Sequence, residues 1–192
     1  MPCARSEPCP PIAALLEINL LVNNAGVGLK GNFLTNELGH ELSMLTLNCR
    51  APVVLTHHFG NSMRERGRGG IIFLTSIVAM AGIPVWSHYA ATKAHNLLLA
   101  EGLAEELHRS GLDVLAVSPG FTRTEFMELT SFGRVLSLEP EKVVRAALTS
   151  LGKKRIVTPG LVNKMISFST RRQPRLANTK IFRAVIRRVQ RA

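Results

Sequence analysis

Four short apolar runs, each closed by a turn signal and separated by long stretches, constrain this chain more than any other feature. Leu20-Leu21-Val22-Asn23-Asn24 ends at Ala25-Gly26. Residues 71–76 follow Gly67-Arg68-Gly69-Gly70, residues 112–118 run from Gly111 to Pro119-Gly120, and Arg155-Ile156-Val157-Thr158 precedes Pro159-Gly160. Runs that are apolar at successive rather than alternate positions suit strands covered on both faces, as in parallel sheets. The gaps carry helical patterns. Residues 37–66 hold an apolar stripe (Leu38, Leu42, Leu45, Val53, Phe59, Met63) with Pro52 inside it, which predicts a kink near 48–52. Residues 88–109 stop at Arg109-Ser110-Gly111, and residues 140–151 open on Pro140-Glu141. Strand and helix in alternation predict an α/β fold, a Rossmann-type doubly wound parallel sheet of about four strands with right-handed crossovers.

Charge divides the chain in two. Residues 153–192 contain 12 Lys and Arg and no Asp or Glu, whereas residues 1–152 contain 12 Lys and Arg against 13 acids. The expected organisation is a near-neutral body over 1–152, then a last strand and a basic tail over 153–192. A neutral body argues against a nucleic-acid-binding core, and electrostatic partners would meet the tail. Within the tail, Ile181, Phe182, Val185, Ile186 and Val189 share one helical face, with Lys180, Arg183, Arg187 and Arg191 opposite. Three readings fit: a helix packed on the body, a helix lying on an anionic membrane surface, or a helix meeting another partner. No apolar run reaches the ~20 residues that cross a bilayer. Three sparse cysteines (Cys3, Cys9, Cys49) read as reduced thiols of a cytoplasmic protein. No His, Cys or acid spacing marks a metal site. His40, His57, His58, His88, His95 and His108 read as ordinary polar positions.

Tyr89-Ala90-Ala91-Thr92-Lys93 sets a phenol and an ammonium four residues apart on one helical face. A cation beside a phenol favours phenolate and is expected to lower the tyrosine pKa, which suits proton transfer to or from a substrate oxygen. Ser76 ends the second strand thirteen residues earlier, where parallel sheets open their ligand crevice. Tyr89 is the only tyrosine in the chain. Around this pair stand Asn23-Asn24-Ala25-Gly26 at the first strand end and Asn48 in the kinked helix. Ser118-Pro119-Gly120, with Thr122 and Thr124, stands at the third strand end.

Taken together, these motifs resemble the short-chain dehydrogenase/reductase family over about residues 12–165. The resemblance implies NAD(P)-dependent interconversion of an alcohol and a carbonyl. Tyr89 would be the general acid/base, and Ser76 would polarise the substrate oxygen. Lys93 would tune the tyrosine and bond the nicotinamide ribose, and Asn48 would hold a proton-relay water. Asn24, Ala25 and Gly26 would line the adenosine side of the NAD or NADP, with Pro119, Gly120 and Thr124 at its nicotinamide end. The resemblance also implies a homo-oligomer built through helices 37–66 and 88–109. The apolar content of 121–139 points to an apolar or lipid-like substrate under a lid, and Trp86 either walls the pocket or packs.

One part of the family pattern is missing. Residues 1–25 contain no glycine, so no Gly-rich phosphate-binding turn precedes the first strand, which matches the family's fourth. The expectation is an N-terminally truncated sheet whose Leu20–Asn24 strand is an exposed apolar edge. Such a chain alone would bind nicotinamide cofactor poorly or not at all. The competing reading is a non-catalytic remnant serving as an oligomerisation or membrane-associated module.

Overall fold

The computed structural model describes residues 17–120, 122 and 137–189. Four parallel strands lie in the order β1-β2-β3-β4: β1 (Leu20–Asn23), β2 (Gly69–Leu74), β3 (Leu112–Val117) and β4 (Ile156–Val157). Their register pairs Val22 with Ile72, Ile71 with Val114, and Val117 with Val157. The α/β parallel sheet expected from the apolar runs is present. Its strands fall within the four runs, β2 alone starting two residues earlier.

Side chains alternate across the sheet, so each strand feeds two cores. On one face Ile71, Phe73, Val114 and Ala116 pack with Met63 of helix α2 (Ala51–Arg66) and with Leu97, Ala100 and Ala104 of helix α3 (Ser87–Glu106). On the other, Ile72, Leu115, Val117 and Val157 pack with Val143 and Ala147 of helix α4 (Pro140–Ser150). These two layers are the reason the runs are continuously apolar. β1 is different: Leu20 is 41% exposed and Val22 47%, on the face where α4 packs chiefly against β3 and β4. Among the described residues β1 is therefore an apolar edge, as expected.

Helix α1 (Leu38–Leu45) runs into α2 through one wide turn, Thr46–Arg50, in which the Ala51 amide bonds the carbonyl five residues back, Thr46 O. The kink expected near 48–52 is this turn. Pro52 has no N–H to give the carbonyl of Asn48 four residues before it, and its ring pushes that carbonyl away. After β4 come helix α5 (Leu161–Arg172), absent from the sequence-based expectations, and helix α6 (Arg175–Val189), which overlaps the tail helix expected there.

Candidate active site

The C-terminal ends of β1, β2 and β3 meet the N-terminal half of α3, and the side chains singled out in the sequence gather there. At the end of β2, Thr75 Oγ1 donates to Val117 O (2.9 Å) and pairs with Ser118 Oγ (2.7 Å). The Ile77 amide bonds Pro119 O (3.0 Å). These bonds lock the ends of β2 and β3 together and set Ser76 beside Pro119-Gly120. Ser76 Oγ accepts from the Val78 amide (3.3 Å) and donates to Pro119 O (3.5 Å), a long bond that a better acceptor can replace.

Tyr89 and Lys93 sit one turn apart on the buried side of α3, 8% and 6% exposed. Lys93 Nζ donates to Leu74 O (2.9 Å), two residues before Ser76, and lies 5.9 Å from the centre of the Tyr89 ring. The expected depression of the tyrosine pKa is not found. Burial pushes the Tyr89 phenol up to about 12, and burial pulls the Lys93 ammonium down to about 8. Both groups have lost water, and that loss outweighs attraction between a phenolate and an ammonium directed at a backbone carbonyl. Trp86 meets the Tyr89 ring edge-on at 5.6 Å, half-buried.

Asn48 is fully buried in the wide turn. Its Oδ1 accepts from the Val27 amide (2.9 Å), and its Nδ2 donates to Val27 O (2.8 Å) and Thr92 Oγ1 (3.0 Å). Its backbone oxygen, which Pro52 cannot use, accepts from Asn96 Nδ2 (2.8 Å). Asn48 thus ties the segment after β1 to α3. The tie is close: a Cβ on Gly26 would lie 3.1 Å from Asn48 Oδ1 and 3.3 Å from Lys93 Nζ, so only glycine lets the strand end sit here unforced. Asn24 and Ala25 are exposed. Gly120 is pressed against Asn163 of α5, where a Cβ would come within 2.2 Å of Oδ1. Thr124 and most of the expected lid (121 and 123–136) lie outside the described residues.

Sequence reasoning missed several residues. Asn96 follows Lys93 by three and Tyr89 by seven, the spacing of one helical face, and that spacing was a usable signal. His88, read as an ordinary polar position, bonds the buried Glu41 carboxylate through Nδ1 (2.5 Å), and Asn36 Nδ2 bonds the other oxygen (2.7 Å). Burial pushes the Glu41 carboxyl up, but these hydrogen bonds and the His88 charge outweigh it and hold the group below its ordinary range. This cluster fastens the start of α3, next to Tyr89, onto α1. It brings together residues 47 apart, which no local spacing announces. Val85, just before α3, takes a left-handed backbone (φ 59°) that a β-branched residue rarely adopts, and its carbonyl accepts from the Gly31 amide (2.8 Å). No group of three or more His, Cys, Asp or Glu able to hold a metal occurs among the described residues.

Comparison with known proteins gives this arrangement a context. The family model described as short chain dehydrogenase matches residues 12–132. Dehydrogenase/reductase SDR family member 7B of Danio rerio is 35% identical over 107 residues, covering 56% of this chain and 35% of that protein. A short-chain dehydrogenase from Sphingobium yanoikuyae, solved in complex with NADPH, is 30% identical with a TM-score of 0.65, over 81% of this chain and 63% of that one. A 7beta-hydroxysteroid dehydrogenase structure superposes with a TM-score of 0.77 over 85% of this chain and 66% of that one, at 22% identity, which speaks for the fold alone. The chain spans about half or less of the curated relatives it matches.

Proposed function

Because the chain belongs to the short chain dehydrogenase family, we propose that it carries the proton-transfer half of an NAD(P)-dependent oxidoreductase acting on an alcohol or a carbonyl. The observation that carries this reading is Lys93, one turn after Tyr89 on the buried side of α3, bonding Leu74 O two residues before Ser76, with Gly26 left bare over its Nζ. The site fits the ribose and nicotinamide end of the cofactor. Lys93 spends one N–H on Leu74 O and has two more for ribose hydroxyls, and the missing Cβ at Gly26 keeps that approach open. The bound nicotinamide supplies or accepts the hydride. The pyrophosphate end has no Gly-rich cradle in residues 1–25.

Tyr89, with its pKa at about 12, keeps its proton at neutral pH and donates it to a substrate oxygen held by the Ser76 hydroxyl. In the reverse direction it would need a neighbouring cation to release the proton. Lys93, at about 8, is still mostly charged at neutral pH and serves there. Asn48 holds the Gly26–Val27 segment in place, and its backbone oxygen keeps one lone pair for a relay water after Asn96 has taken the other. Trp86 walls the substrate side. The exposed apolar positions Leu42, Leu45, Val53 and Leu98 on α1, α2 and α3 support a homo-oligomer.

Titrating the 192-residue chain with NADPH and NADH, following nicotinamide fluorescence, tests the reading. The expected result is weak but saturable binding that Lys93→Ala abolishes, with slow reduction of an apolar ketone that Tyr89→Phe abolishes. A folded chain that binds neither cofactor would leave the non-catalytic, oligomer-forming reading for these 192 residues.

A further inference from the structure

Helix α5 is built inside out. Its buried positions are polar, namely Asn163, Ser167 and Thr170, each satisfied at once: Asn163 Nδ2 by Pro159 O (3.0 Å), Ser167 Oγ by Met80 Sδ (3.1 Å) and Thr170 Oγ1 by Ile166 O (2.8 Å). Its outward side carries an apolar stripe among polar neighbours: Leu161 is 75% exposed, Met165 65% and Phe168 60%, spaced four and three residues apart. Leu176 at the start of α6, 79% exposed, adds to them. A contiguous apolar stripe turned to solvent is the unusual observation here, because single exposed apolar residues are common and an inverted helix is not.

The stripe is bordered by cations. Arg172 stacks its guanidinium 4.3 Å over the Phe168 ring, Lys164 lies along one edge, and exposed Lys180 and Arg183 follow on α6. Among the described residues, the acid paired with α5 is Glu101 of α3, 3.7 Å from Arg171. Residues 153–192 supply no acid at all. That charge selects the occupant. A second copy docked on the same face would set cations against cations. A nucleic acid would answer the charge and leave the apolar stripe in water. An anionic lipid surface answers both, with headgroups for the guanidinium and ammonium groups and acyl chains for Leu161, Met165 and Phe168.

We propose that the outward face of α5, continued onto α6, docks this protein on an anionic lipid bilayer. No helix among the described residues is long and apolar enough to cross a membrane, so the contact lies on the surface. Through Asn163 against Gly120 and Ser167 against Met80, α5 abuts the segments flanking Ser76. Docking therefore brings the candidate site close to the lipid, where a lipid-borne alcohol or ketone would reach it. That consequence rests on the oxidoreductase reading, whereas the docking itself does not, so the two fail separately.

The test is co-sedimentation of the full 192-residue chain with phosphatidylcholine vesicles, and with vesicles carrying about 30% phosphatidylserine. Binding to the anionic vesicles is expected to exceed binding to neutral ones at least about tenfold and to weaken with salt. Met165→Ser with Phe168→Ser should lower it at least about tenfold with an unchanged circular dichroism spectrum, because both side chains stand in solvent. Lys164→Gln with Arg172→Gln, an independent pair, should lower binding and flatten its salt dependence. Leu148→Ser, an exposed apolar change on α4, should leave binding intact. The proposal is overturned by equal binding to both vesicles, or by binding indifferent to the stripe and charge variants. It is equally overturned by a dimer that the stripe variant dissolves without any vesicle binding, or by an oligonucleotide bound as tightly as the vesicles.

Discussion

Two regions of this molecule bury polar side chains, and they do so for different ends. At the junction of β1, the wide turn and α3, the bonds are long-range: Asn48 reaches Val27 across 21 residues and Thr92 across 44, Asn96 reaches Asn48 across 48, and Lys93 reaches Leu74 across 19. In α5 and α6 most of them are local: Asn163 and Thr170 each bond four residues back, and Asn178 Nδ2 bonds Thr170 O eight residues away. A long-range polar bond costs ordering and desolvation, and what it returns is position. A local one merely satisfies a group that the helix would otherwise bury bare. The first region holds the candidate site's segments together, and the second lets a helix lie on the body by its polar side with its apolar side free.

The sharpest way to break this contrast is Asn48→Ala. It strips the Val27 amide and carbonyl of their side-chain partners, while the Thr92 hydroxyl keeps its bond to Tyr89 O, and should cost about 3 kcal/mol in urea unfolding. A loss under 1 kcal/mol would mean that water replaces the carboxamide and that position is not what the bond supplies.

Lys93→Met should act in the opposite direction. Holding a pKa of about 8 against an ordinary 10.5 penalises the folded state by about 3 kcal/mol at neutral pH. Removing the ammonium, less the bond to Leu74 O, should therefore stabilise the chain by about 2 kcal/mol while abolishing cofactor binding. The sign appears in the pH dependence. The unfolded chain takes up the Lys93 proton first as pH falls, so wild-type stability should drop between about 10.5 and 8 and level off below. Tyr89 gives the reverse slope. Its phenol ionises first in the unfolded chain, so stability falls as pH rises from about 10 to about 12. Equilibrium unfolding across pH 7–12 in wild type, Lys93→Met and Tyr89→Phe separates the two slopes.

Asn96→Ala should cost about 1–2 kcal/mol, since it deprives the buried Asn48 carbonyl of its donor and His95 Nδ1 of a longer contact to Oδ1. Thr170→Val should cost less than about 0.5 kcal/mol, because the bond it removes is made to the preceding turn of its own helix. A Thr170 effect as large as that of Asn96 would erase the distinction between the two regions.

Much of the architecture was legible in the residues. Continuous apolar runs such as Ile71-Ile72-Phe73 call for cover on both faces, and Gly-Pro punctuation limits their length, so four parallel strands follow from local pattern. Pro52 announced the kink, and Tyr89, Lys93, Ser76, Asn48 and Gly26 could be singled out by motif and spacing, whereas the bonds each one makes could not. Helix α5 was not anticipated, because an inverted helix has the same periodicity as an ordinary one while its polar side does the packing. Nor was the Glu41–His88 bond visible, since it joins two helices through side chains 47 residues apart.

Local chemistry alone determines what each segment can become. A run without polar alternation has one economical state, and a proline denies one carbonyl its partner wherever it stands. Desolvation is decided only by the assembled chain. Tyr89 and Lys93 stand four apart in the sequence whatever surrounds them, and from that spacing the ammonium should ease the phenol's ionisation. The fold buries both, turns the ammonium toward Leu74 O, and so moves the two pKa values to about 12 and about 8. The energy of a charge depends on how much water the rest of the protein has removed from it, and no residue carries that information in its own neighbourhood.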